Sequence, residues 1–261
     1  MIRLPALAVA FSLAVPLAAC GSDGGSGSGT QADTTTTTAE STDSSPPTTD
    51  PNYDPQIDPT QFTAEITNPY FPLKPGTTLV YEGVRDGKPQ HSEVVVTADT
   101  REILGVTCVV VLDTVTSDGA LVEKTTDWYA QGSNGDVWYF GEDTKEYENG
   151  AVSSTHGTWE AGVDGAKPGV VMKGEPTVGD KYRQEYRPGE AEDKGEVLRF
   201  EATLAVPAGT YQNVMVTLDS DPLNPDKNDN KWYAPGVGMV KSVRIRTGHQ
   251  EETALVKVTE G

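Results

Sequence analysis

The sequence predicts an all-β protein whose folded part is a curved antiparallel sheet, half-barrel or sandwich-like, with an irregular insertion near residues 157–180. Three observations predict it. From residue 77 onward, short apolar and β-branched runs recur, each closed by Gly, Asn or Asp, the pattern of hairpin-connected strands. Asp86-Gly87 and Asp118-Gly119 supply the positive φ that tight hairpins demand. No stretch keeps a 3.6-residue apolar period over three turns, so no long amphipathic helix is expected.

In chain order, residues 77–84 alternate and the chain turns at Arg85-Asp86-Gly87-Lys88. Strands follow over 94–98 and 106–117, and Asp118-Gly119 closes the next hairpin. The run VTCVVVLDTV is so β-branched that it reads as a buried strand. Residues 121–131 run back, Ser133-Asn134-Gly135-Asp136 turns the chain into 137–140, and 151–156 follow Glu148-Asn149-Gly150. Residues 157–180 carry too many Gly and Pro for a regular element. Strands resume over 181–186, 196–206, 211–219, 232–245 (interrupted at Pro235-Gly236) and 254–259. Several place apolar residues on both faces, so either a second sheet covers this one or the sheet curls around its own contents.

The N-terminus fixes an address. Arg3 is a short positive region, and residues 4–17 form an apolar core too short to span a bilayer, which marks an export signal. It ends in Leu17-Ala18-Ala19-Cys20-Gly21, which resembles the lipobox of bacterial lipoproteins. That resemblance implies a signal over 1–19, and diacylglycerol and palmitate chains on Cys20 as the new N-terminus. Each buried methylene of such chains contributes about 0.8 kcal/mol. The expected location is the cell membrane, lipid-anchored and facing the extracytoplasmic side. Residues 20–60 are almost free of apolar side chains and read as a disordered spacer with a reach of roughly 35 Å. A single β domain is expected over 61–261.

Charge narrows the partners. The chain carries 20 basic and 39 acidic residues. Seven acids fall in the spacer through Asp58 and Arg3 is the only base before it, which leaves 19 basic and 32 acidic residues, net −13, for the domain. A net negative surface argues against nucleic acid and against close contact with anionic lipid. The sequence names no oligomeric state.

DWYAQ (127–131), VWYFGE (137–142), TWEAGVDGA (158–166), GDKYRQEYRPGEAED (179–193) and WYAPGVGMVKS (232–242) together resemble a group of uncharacterised bacterial lipoproteins. VPAGTYQNV (206–214) followed by WYAPGVGMVKS is also similar to secreted curved-sheet domains related to the LolA-like half-barrels. Neither resemblance implies an activity or a catalytic residue; both imply an extracytoplasmic location and, more loosely, the curved sheet.

Candidate chemistry is sparse. His91, His156 and His249 are scattered, with no HxH, HExxH or CxxC spacing, so no metal site and no cofactor is expected. Cys108 sits in the buried-strand run with no His nearby in sequence and reads as a small core hydrophobe. The acidic loop 219–230 fails the Ca²⁺-loop pattern, because Lys231 and Val237 stand where Gly and Glu are needed. GEAEDKGE (189–196) reads as a solvated loop. The aromatic pairs Trp128-Tyr129, Trp138-Tyr139 and Trp232-Tyr233, with Trp159, stand out. Neighbours on a strand face opposite ways, so each pair sends one ring inward and one outward. Trp128, Trp138, Trp159, Trp232 and Tyr233 are therefore the candidate ligand-binding residues, weighed against plain core packing. WYAPGVGMVKS itself reads as a structural corner.

These readings give a non-catalytic binding protein for an apolar or glycolipid-like envelope ligand. The alternatives are a cell-envelope hydrolase worked by Glu160, Glu185 or Asp127, and a structural or protein-interaction module.

Overall fold

The computed structural model describes residues 52–225, 228–246 and 249–261. The signal, Cys20 and the spacer through Pro51 lie outside the described residues.

Sixteen strands form one sheet. They are β1 (Phe62–Thr63), β2 (Thr78–Arg85), β3 (Lys88–Ile103), β4 (Val106–Ser117), β5 (Ala120–Gly132), β6 (Val137–Glu148), β7 (Ala151–Ser154) and β8 (Trp159–Glu160), then β9 (Lys167–Met172), β10 (Lys181–Arg183), β11 (Glu185–Tyr186), β12 (Lys194–Val206), β13 (Gly209–Ser220), β14 (Asp229–Ala234), β15 (Gly238–Arg246) and β16 (His249–Thr259). The order runs β10-β12-β13-β14-β15-β16-β2-β3-β4-β5-β6-β9-β11, with β1, β7 and β8 attached at the side. Every pairing is antiparallel.

The expected curved sheet curls into a nearly closed barrel. Residues 181–186 are one run broken at Gln184: its first half pairs with β12 and its second with β9, so the two ends of the sheet meet there. Close approach at this seam requires glycine. A Cβ on Gly169 would lie 2.2 Å from the Gln184 carbonyl oxygen, and one on Gly195 would lie 2.4 Å from the Tyr182 ring. Register shifts at Val96/Thr100, Trp128/Tyr129, Val197/Arg199, Trp232/Tyr233 and Leu255/Lys257 add the bends that closure needs.

The hairpin turns are those the Asp-Gly and Asn-Gly pairs specify: Asp86, Asp118 and Asn149 sit at φ 50–52° and the following glycines at 73–80°. WYAPGVGMVKS is a turn. β14 stops at Ala234, β15 starts at Gly238, and the Gly236 N–H donates to the Pro69 carbonyl at 2.7 Å. The irregular excursion carries two short strands, β8 and β9.

Packing divides into an interior and an outer layer. Inside, one end is apolar, built on Val96, Val109, Val111, Val137, Met172 and Met215. Outside, the arm from Tyr53 to Phe62 and the excursion around Trp159–Ala166 cover the β4–β6 face, burying Cys108, Trp128 and Phe140. The packed body thus starts ahead of the expected boundary at Gln61. The Tyr53 hydroxyl donates to the Pro168 carbonyl at 2.8 Å, and Ile57 packs beside Phe140 and its neighbours.

Candidate functional site

The β8 strand creates a cleft of about 350 Å³ on the barrel wall, lined by Arg101, Trp128, Glu142, Thr158, Trp159, Glu160 and Arg187 among others. Gly141 makes it possible. At φ 138° and with the Trp159 carbonyl oxygen 2.4 Å from where a Cβ would stand, only glycine lets β8 lie against β6. Pairing of Glu142 with Trp159 and Gly141 with Glu160 then sets the cleft wall. Arg101, just past the β3 bulge, places its guanidinium 4.2 Å from the centroid of the Trp128 ring and 2.5 Å from a Glu160 oxygen. Arg187 donates to the Thr158 carbonyl at 2.5 Å and lies 3.7 Å from Asp164. Trp128 and Trp159 are the buried floor, and the Trp159 indole N–H has no hydrogen-bond partner. The cleft thus sets guanidinium donors and carboxylate acceptors over two buried indole rings, with Arg101 already seated on Trp128.

Behind this wall the polar end of the barrel holds a group of acids. Asp127 and Glu142 are direct partners across β5 and β6, and Thr125 and Thr144 share a hydrogen bond beside them. The Tyr139 hydroxyl donates to Asp127. Burial first, then the charge of Glu142, pushes the Asp127 carboxyl well above the usual carboxylate range. Burial and the neighbouring Asp193, Glu142 and Asp127 do the same to Glu185. Burial also raises Glu142 to about 7, against a hydrogen bond from Thr144. Burial and then Asp127 and Glu123 raise Asp113 to about 8. Lys231 answers part of this charge. Burial works against its proton, but Asp219 at 2.8 Å outweighs that and holds the ammonium firmly charged. Glu142 belongs to both sets, as a cleft residue and as a neighbour of the interior acids.

The five aromatic candidates do not share one hollow. Trp128 and Trp159 meet at the cleft. Trp138 packs edge-on to Phe62 at 5.9 Å in the outer layer. Trp232 lies among Val214, Val216 and Val243, with Arg199 and Lys241 over its ring. Tyr233 packs with Met215 in the interior, 6.5 Å from Phe71. The pairs do divide by face. Trp128 packs under the outer layer while Tyr129 stacks on Tyr139 at 4.7 Å and meets Phe71 at 5.4 Å.

Of the three hydrolase candidates, only Glu160 lines the cleft; Asp127 and Glu185 belong to the interior acids. Arg101, Arg187 and Glu142 were not singled out from the sequence. The β3 bulge and the β6–β8 pairing, whose partners lie 17 and 19 residues apart, help to bring them together, and neither leaves a local motif.

Cys108 is a buried free thiol, pushed up to about 12 by burial, as a core hydrophobe should be. His91 lies 3.8 Å from Glu82 and 3.6 Å from Glu93, and His156 lies 3.6 Å from Glu190. No group of three metal-ligating side chains occurs among the described residues. In the 189–196 loop the solvated reading fails at Glu192. It is buried, accepts from the Gly189 N–H at 2.9 Å and lies 3.9 Å from Arg183.

No family model and no curated protein matches the chain. Two solved structures are similar in shape. One is a Bacteroides fragilis protein described as exported, with a YmcC-like fold: 16% identical, TM-score 0.43, covering 73% of this chain and 99% of its own. The other is a Parabacteroides distasonis protein described as a lipoprotein: 16% identical, TM-score 0.40, covering 73% and 98%. Likeness of this degree transfers neither an activity nor a site.

Proposed function

We propose that this chain is a lipid-anchored, extracytoplasmic, non-catalytic binding protein whose ligand is the sugar portion of a glycolipid-like envelope molecule. The observation that carries the reading is the meeting of Trp128 and Trp159 in one cleft with Arg101, Arg187 and Glu160. The cleft volume is at the lower end for small-molecule sites, enough for one or two sugar rings. An acyl chain is less well served, because the apolar end of the barrel is filled by its own side chains. The export signal and Cys20 supply the anchor and the envelope context. The family resemblance to bacterial lipoproteins points the same way.

The test is a glycan-array screen of the full chain in detergent. Binding to a sugar class that Arg101→Ala abolishes supports the reading. No binding, or binding unchanged in that variant, removes the cleft as its site.

A glycoside hydrolase is a second reading, favoured by one observation. Glu142, raised to about 7, and Glu160, paired with Arg101, line the same cleft. A carboxyl with raised proton affinity beside a second carboxyl is the pairing such enzymes use. Release of reducing ends from a bound glycan, lost in Glu142→Gln, would establish it; a ligand recovered intact would exclude it.

A further inference from the structure

The shortest join along the barrel is between β9 and β11, next to the three-pair joins β6–β9 and β10–β12. The β9–β11 seam consists of two register pairs, Glu185 with Pro168 and Tyr186 with Lys167, and Pro168 has no N–H to contribute. By contrast β3 and β4 share eleven register pairs.

The seam is clasped from outside. Tyr53 donates its hydroxyl to the Pro168 carbonyl at 2.8 Å, and Lys167 donates back to the Tyr53 carbonyl at 2.6 Å. Lys167 also pairs with Asp54 at 2.9 Å. The Tyr53 ring lies 5.3 Å from that of Tyr186, and the Arg183 guanidinium sits over both. The strap is the stretch of chain that leads back toward Cys20.

From inside the same seam is loaded with acids. Glu185, on β11 itself, faces Asp193 from the following turn, Glu142 and Tyr139 from β6, and Asp127 and Tyr129 from β5. Glu123 of β5 and Asp113 of β4 stand behind Asp127. Lys231 of β14 is a cation that acts on Glu185, and it is already bound to Asp219 of β13. Asp127 is buried and Glu185, Glu142 and Asp193 are half-buried, and like charges gathered in such a site repel one another.

We propose that the β9–β11 seam is a proton-controlled gate, strapped shut by Tyr53 and Asp54 and forced apart from inside when Glu185, Glu142 and Asp127 lose their protons. In acid these carboxyls are neutral and the seam holds. As pH rises through the raised range of Glu142, about 7, charge accumulates behind the two-pair join, which yields before the longer pairings. Glu142 lines the cleft as well, but Glu185 and Tyr53, whose variants test the gate, do not, so failure of the gate and failure of the sugar-binding reading are told apart.

Hydrogen exchange of the full chain, followed by mass spectrometry from pH 5.5 to 8.5 and corrected for the intrinsic rate, tests this. Protection in residues 167–172 and 185–187 should fall tenfold or more relative to 106–117. Glu185→Gln should flatten that fall. Tyr53→Phe should lower seam protection at both ends of the pH range. Seam and β4 protection moving in parallel, or an unchanged pH response in Glu185→Gln, would overturn the proposal.

Discussion

At the scale of single residues, the interior acids are the feature most open to test. Asp127 accepts from Tyr139 and keeps its proton because burial and Glu142 oppose ionisation. An amide can accept the same hydrogen bond without the charge. Asp127→Asn should therefore stabilise the fold by about 1–2 kcal/mol at pH 8, and by less at pH 5, in urea unfolding. Asp127→Ala, which removes the carboxyl that accepts from the Tyr139 hydroxyl, should cost about 2 kcal/mol instead. Trp159→Phe removes an indole N–H that has no partner, so stability should move by less than about 1 kcal/mol while glycan binding weakens. The sequence made the aromatic pairs legible, because alternation along a strand alone sends Tyr129 and Trp128 to opposite faces. It did not reveal which rings would meet, since that depends on the placement of β8 beside β6.

At the scale of elements, turn chemistry was the readable part. Asp86-Gly87, Asp118-Gly119 and Asn149-Gly150 all mark hairpins at the positions expected of them. Strand lengths were less legible. β6 runs to Glu148 rather than stopping near 140, and β3 extends from Lys88 to Ile103, because polar residues that face solvent or the acid-lined interior break the apolar pattern. The Leu104-Gly105 turn, at φ 53° and 78°, carries no Asn or Asp and was missed for that reason. The curl of the sheet was one of the two expected arrangements, but the place of its seam was not legible, because it rests on glycines that no turn requires. Gly169→Ala should cost about 3 kcal/mol, read from chemical denaturation, since the added carbon meets the Gln184 carbonyl. A matched Gly87→Ala change, with open space around it, should cost about 1 kcal/mol from its positive φ alone.

At the scale of the whole molecule, two sets of titrating groups oppose each other. Asp127, Glu142, Glu185 and Asp113 all bind protons more tightly folded than unfolded. Stability due to them is complete below about pH 4 and is lost as pH rises through their folded ranges, about 7 for Glu142 and about 8 for Asp113. Glu142 alone accounts for up to roughly 3 kcal/mol, less where water reaches it. Asp229 works the other way. Burial raises its carboxyl, but the two-point contact with Arg244 at 3.0 and 2.8 Å outweighs this and holds it below the usual range, so it supports the fold above pH 4. The melting temperature should thus peak near pH 5 and fall by several degrees by pH 8, measured by calorimetry in constant salt. Fold class was readable from the chain because it rests on strand period and turn chemistry. The cleft was not, because it assembles residues from β3, β5, β6, β8 and the turn after β11. The most direct test of the central claim is native mass spectrometry of the full chain, released gently in detergent from its own membrane. The wild type should carry an added glycolipid mass that survives mild activation and is missing in Arg101→Ala. A bare protein mass from every wild-type preparation would contradict that claim.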